Sequence, residues 1–71
     1  MIYNRHAYVT PTHFVVKLKD EPRIVAKVPI KSAFDLFPTM VSTCVLEKSK
    51  GESFCNLPFS KKELGKLEAY V

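Results

Sequence analysis

Four side chains in this sequence are competent to bind a metal or support a nucleophile: His6, His13, Cys44 and Cys55. A structural zinc site draws its ligands in closely spaced pairs, and neither the histidines nor the cysteines have that spacing. A cysteine nucleophile needs an accessible thiolate beside a histidine or another cation. Cys44 and Cys55 instead sit among apolar neighbours in alternating stretches, a setting that favours buried, inert thiols. With no CxxC pair and no secretory signal, two cysteines also point to reduced thiols rather than to a disulfide framework.

The carboxylates are accounted for without catalysis. Asp20 and Glu21 share a turn tip, Asp35 and Glu63 stand at helix-capping positions, and Glu47 and Glu52 flank a second turn. Gly51 and Gly65 are the only glycines, so no glycine-rich loop can cradle a phosphate. The expectation is a protein that is not an enzyme and has neither metal nor cofactor.

What remains is a basic surface. His13 to Lys19 and Arg23 to Ile30 alternate in hydropathy on either side of Asp20-Glu21-Pro22, the pattern of a β-hairpin. One face carries Phe14, Val16, Leu18, Ile24, Ala26, Val28 and Ile30, and is expected to be core. The other carries Val15, Lys17, Lys19, Arg23, Val25 and Lys27, and these six are the candidate partner-binding residues. Pairing residues of equal parity keeps the apolar side chains together, which allows a three-residue or a five-residue loop. Pro22 cannot take the left-handed position that ends the common three-residue loop. The longer loop, Lys19 to Arg23, therefore sets Leu18 opposite Ile24 and Val16 opposite Ala26.

The elements that must position this face follow from local signals. Ile2 to Val9 is rich in aromatic and β-branched residues and predicts a first strand, turning at Thr10-Pro11-Thr12. Ser32 and Asp35 have capping-box spacing, so a helix is expected to start at Ser32, with Pro38 shortening or kinking it. Val41 to Lys48 and Glu52 to Leu57 flank Ser49-Lys50-Gly51 and predict a second hairpin, ended by Pro58. Ser60 and Glu63 form another capping box, with Phe59 and Leu64 as a hydrophobic staple, so a helix runs from Lys61 to about Tyr70 with Leu64, Leu67 and Val71 along one stripe. The order is β-β-β-α-β-β-α: a single α+β domain over residues 1–71, with an antiparallel sheet or a small barrel of oligonucleotide-binding (OB-like) strand order and a C-terminal helix.

Composition sets the bounds. The chain has 71 residues, 46% hydrophobic and 25% charged, enough for one small core near the lower limit of independent folding. No stretch is long and apolar enough for a membrane helix, and an intracellular, cytoplasmic location with no membrane partner is expected. The net charge of +4 favours an anionic partner. A cationic face interleaved with valines suits a larger protein with an acidic surface, and so a small binding or regulatory protein of the kind that viruses and mobile elements use as inhibitors. The alternative is a small DNA- or RNA-binding module using the same face, although the hairpin contributes no outward aromatic for stacking. Homo-oligomerisation would add stability to so small a core, and a solvated face protecting the strands from edge pairing is the competing explanation for the lysines.

Overall fold

The computed structural model of the protein describes residues 2–18, 24–51 and 53–71. Its elements run β1 (Ile2–Val9), β2 (His13–Lys17), β3 (Val25–Pro29), α1 (Ile30–Leu36), α2 (Pro38–Ser49), β4 (Cys55–Ser60) and α3 (Lys61–Glu68). The four strands form one antiparallel sheet in the order β3-β2-β1-β4. The fold is α+β with a C-terminal helix. The sheet is open, with β3 and β4 at its edges, and does not close into a barrel.

The first two hairpins follow local chemistry. At the β1–β2 turn the Thr10 N–H donates to His13 O (2.8 Å), and Thr10 Oγ1 accepts from the His13 N–H (2.9 Å). In β2–β3, Val16 pairs with Ala26 and Lys17 with Val25, while the Leu18 N–H reaches Ile24 O at 3.1 Å. This is the register that the five-residue loop requires. The loop itself, Lys19 to Arg23, lies outside the described residues.

Two expected elements are corrected. The first helix starts at Ile30, before the Ser32–Asp35 box, and has no side-chain cap. Its leading N–H groups need partners, and the Ile30 N–H finds one in Thr12 O (3.0 Å). A backbone acceptor from the neighbouring turn thus replaces the side-chain cap. The second correction concerns Val41 to Lys48, which is helix and not strand. Pro38 ends α1 at Leu36 and then serves as the first residue of α2, where its missing N–H has no consequence. Val41 and Cys44 are the buried residues of that helix, a spacing of three that suits a helical face as well as it disrupts strand alternation. Gly51, at φ +93°, stops the helix, and its N–H donates to Lys48 O (3.0 Å). Among the described residues the sheet consequently has four strands and the helical layer three helices.

Pro58 does not end its strand either. β4 is an edge, paired only to β1, so a residue without an N–H is tolerated within it, opposite Asn4. The other edge is partly closed by the chain end, the Lys27 N–H donating to Tyr70 O (3.1 Å). In α3 the capping box is complete: Ser60 Oγ accepts from the Glu63 N–H (3.3 Å), and Glu63 Oε1 accepts from the Ser60 N–H (3.0 Å). Leu67 is fully buried and Leu64 and Tyr70 pack against the core, but Val71 is 70% exposed and leaves the expected stripe.

The core lies between the inner face of the sheet and the helices. Ala7, Phe14, Val16, Ala26, Val28, Leu57 and Phe59 from the strands meet Ala33, Phe37, Val41 and Leu67. Phe37, the residue between α1 and α2, is 2% exposed. Its ring stands edge-on to Phe59 (centroids 5.9 Å apart) and tilted against Phe14 (6.5 Å), so one side chain ties both helices to β2 and β4. Cys44 of α2 and Cys55 of β4, expected as separate thiols, are joined in a disulfide with Cα atoms 5.7 Å apart, a separation within the normal range for such a bond. The expectation of reduced thiols rests on the missing CxxC pair and secretory signal, and neither bears on a bond between a helix and a strand that fold against each other.

Candidate functional site: the open face of the sheet

Every described helix lies on the inner side of the sheet, so the outer side is built from alternate strand residues alone. β1 contributes Ile2, Asn4, His6 and Tyr8, β2 contributes His13, Val15 and Lys17, β3 contributes Val25, Lys27 and Pro29, and β4 contributes Asn56, Pro58 and Ser60. Tyr8 pairs with Val15, and Val15 with Lys27. The row across three strands is therefore aromatic, aliphatic, cationic. Lys17 and Val25 form the next row on the β2–β3 side.

Of the six candidate residues, the structure brings Val15, Lys17, Val25 and Lys27 together on this face. Lys19 and Arg23 lie outside the described residues. Lys27 is exposed, and Lys17 and Val25 are half-buried. Val15 points outward but is only 3% exposed. Flanked by Tyr8 and Lys27 on the adjacent strands, and by His13 and Lys17 along its own, it is the floor of the face and not a contact surface. The mixed cationic and aliphatic character expected of the hairpin is thus reduced to its cations and Val25.

Aromatic groups take the place of the lost aliphatic surface. Tyr8 is 45% exposed, and Phe54, immediately before β4, is 51% exposed. Phe54 stacks against His6, ring centroids 4.7 Å apart and tilted by 38°, so the two rings support each other beside Tyr8. Sequence reasoning missed this cluster for two reasons. Tyr3 and Tyr8 fall on opposite sides of the first strand, and it is the pairing of Tyr8 with Val15 that puts Tyr8 on this face. Phe54 falls in the second strand of an expected hairpin whose first strand is the helix α2.

A cleft of about 260 Å³ opens at the corner where these aromatics meet the end of α2, lined by Tyr8, Phe54, Pro11, Lys48 and the two bridged cysteines. The Lys48 ammonium donates to Val9 O at 2.8 Å, which holds a cation at the mouth of the cleft. An ammonium has three donors, and two are left after that bond. The Cys44–Cys55 bond, buried at 3% and 7% exposure, fixes the start of β4 to α2 and with it the position of Phe54.

Such an arrangement can hold an anion beside flat rings: cations at Lys17, Lys27 and Lys48, and stacking surfaces at Tyr8, Phe54 and His6. Among the described residues no group of three or more His, Cys, Asp or Glu side chains is placed to hold a metal ion, and no described helix is long and apolar enough to cross a membrane. Comparison with known proteins gives no match to a family model, to a curated protein or to a solved structure.

Proposed function

We propose that this is a non-enzymatic binding protein whose open sheet face takes a single-stranded nucleic acid. The observation that carries this reading is the exposed Tyr8 and Phe54 on the same face as Lys17 and Lys27. Bases stack on aromatic side chains whatever their sequence, and lysines track the phosphates between them. An antiparallel sheet with helices behind it leaves that face flat, as unpaired bases need. The cleft at Lys48 would take one base against Tyr8 or Phe54 with its phosphate at the ammonium.

An acidic protein surface is the second reading, supported by Val25, half-buried next to Lys17. The burial of Val15 bears against it, since most of the aliphatic contact area expected of the hairpin is absent. On either reading the chain acts by occupying a partner, as a small regulatory protein or inhibitor does. The reading keeps the protein inside the cell, where the glutathione pool opens accessible disulfides; burial of both sulfurs is what would preserve this one.

Fluorescence anisotropy with a labelled single-stranded oligonucleotide tests the proposal. Binding should weaken with salt with a log-log slope of about −1.4 or steeper, from ~0.7 for each phosphate neutralised by Lys17 and Lys27. Tyr8→Ala should cost about 1–3 kcal/mol, the range for one stacked base. An affinity that is insensitive to both salt and Tyr8→Ala would exclude nucleic acid. Salt-tolerant binding to an acidic protein, weakened by Val25→Ala, would establish the second reading.

A further inference from the structure

On the helical side of the sheet a second cavity, of about 300 Å³, lies between the strands and α3. Among the described residues its apolar walls are Leu18, Ile24, Leu64 and Val71, and its two charged groups are Arg5 of β1 and Glu68 of α3. Leu18 is 8% exposed, Ile24 and Leu64 pack against the core, and Val71, 70% exposed, stands at the rim. Small-molecule sites have this composition, mostly apolar with a few placed polar groups, and the volume is at the lower end of their range of ~300–1,000 Å³.

Arg5 is the group that asks for a ligand. Its Nε–H is buried and has no hydrogen-bond partner. Such a donor is rare in a folded protein because its desolvation is uncompensated, the more so when the group is ionised. Nη1 is already used, donating to Asn4 O at 2.9 Å, and the guanidinium carbon lies 5.5 Å from the centroid of the Tyr3 ring. The head group is therefore held from two sides. What remains is the edge formed by Nε and Nη2, whose two parallel N–H groups match the two oxygens of a carboxylate. A carboxylate seated at Nη2 brings Nε into the pair through a small turn of the guanidinium.

We propose that this cavity binds a free aliphatic α-amino acid, its carboxylate on the Arg5 edge, its ammonium at Glu68 and its side chain among Leu18, Ile24 and Leu64. Charge complementarity selects that ligand over simpler ones. Arg5 and Glu68 bound the same space without pairing, since the only ion pair among the described residues joins Lys50 to Glu47. A plain monocarboxylate would set its charge near Glu68 with no cation between them, and an alkylamine would leave the Arg5 edge unanswered. The terminus of a peptide carries only one of the two charges. An aliphatic amino acid carries both on one small apolar molecule. The site is independent of what the open face holds, because Arg5 belongs to the opposite side of β1 from Tyr8.

Amide chemical shifts recorded as L-leucine is added, from about 10 μM to 10 mM, test the assignment. Saturable shifts should centre on Arg5, Leu18, Ile24, Leu64, Glu68 and Val71. The analogues 4-methylpentanoate, which lacks the ammonium, and 3-methylbutylamine, which lacks the carboxylate, should each bind about 10-fold more weakly or worse, the loss expected for one hydrogen bond to a charged group. Glu68→Gln, at an exposed position, should keep the parent spectrum and remove the preference for leucine over 4-methylpentanoate. Arg5→Gln should lose leucine while still folding, and if it does not fold the Glu68→Gln result decides. The Lys17→Glu, Lys27→Glu protein should bind leucine as the parent does. No saturable shift at these residues, 4-methylpentanoate binding as tightly as leucine, or parent-like discrimination by Glu68→Gln would overturn the proposal.

Discussion

Opening the Cys44–Cys55 bond should remove a large fraction of the protein's stability. The bond closes a loop with a sequence separation of 11. In the chain-entropy description, that cross-link withdraws about 9 cal/mol/K from the unfolded ensemble, or about 2.8 kcal/mol at 25 °C. A domain of this size has roughly 3.5–10 kcal/mol in total, at ~0.05–0.15 kcal/mol per residue. Reduction is the cleanest perturbation because it changes no side-chain volume and leaves two thiols in the same buried places. With a urea slope of about 1 kcal/mol/M for so short a chain, the unfolding midpoint should fall by nearly 3 M in the presence of a phosphine reductant. The variant Cys55→Ala should unfold at the same urea concentration with and without reductant. A parent midpoint that does not move on reduction would refute the reasoning. Two titratable thiols per chain in protein unfolded without reductant would refute the bond itself and restore the expectation of separate thiols.

Several other outcomes bear on the fold and the face. Phe37→Ala should destabilise by about 3–5 kcal/mol, the range for deleting a buried aromatic, and leave little folded protein by circular dichroism; a cooperative transition near that of the parent would show that α1 and α2 dock without it. Ser60→Ala removes the side-chain cap of an eight-residue helix and should cost about 1 kcal/mol in urea unfolding, whereas an unchanged midpoint would make the cap dispensable. Val15→Ala separates floor from contact: it should cost about 1.5 kcal/mol of stability, from two methyl groups at ~0.8 kcal/mol each, while anisotropy shows partner affinity unchanged. A loss of affinity without loss of stability would return Val15 to the contact surface.

The parts of the fold that were legible in the sequence are those decided by short-range chemistry. The aromatic and β-branched content of β1, the alternation in β2 and β3 and the Ser60–Glu63 box each act within a few residues and match the observed elements, and the parity argument with Pro22 matches the observed β2–β3 register. The failures have a common origin in tertiary partners. The Ser32–Asp35 spacing is a valid cap signal, yet Thr12 O supplies the acceptor two residues earlier. The stretch from Val41 to Lys48 is rich in β-branched residues, and strand propensity yields there to a helix that places Val41 and Cys44 in the core. Misreading that one segment also puts Phe54 inside a hairpin strand, whereas it leads into β4. The candidate face was half legible: its lysines follow from strand parity, but its aromatics come from β1 and the entry to β4, which only the strand order β3-β2-β1-β4 brings alongside.

The central claim is that the open face of the sheet is where a partner is held. Its most direct measurement is a map of amide chemical shifts by NMR as a single-stranded oligonucleotide is added at low salt, repeated on the Lys17→Glu, Lys27→Glu protein. In the parent, shifts should concentrate at His6, Tyr8, Val15, Lys17, Lys27 and Phe54 and spare Val45 and Leu46 of α2, and in the charge-reversed protein, folded by its own spectrum, they should vanish. Shifts centred on α2, or a map that survives the charge reversal intact, would contradict the account.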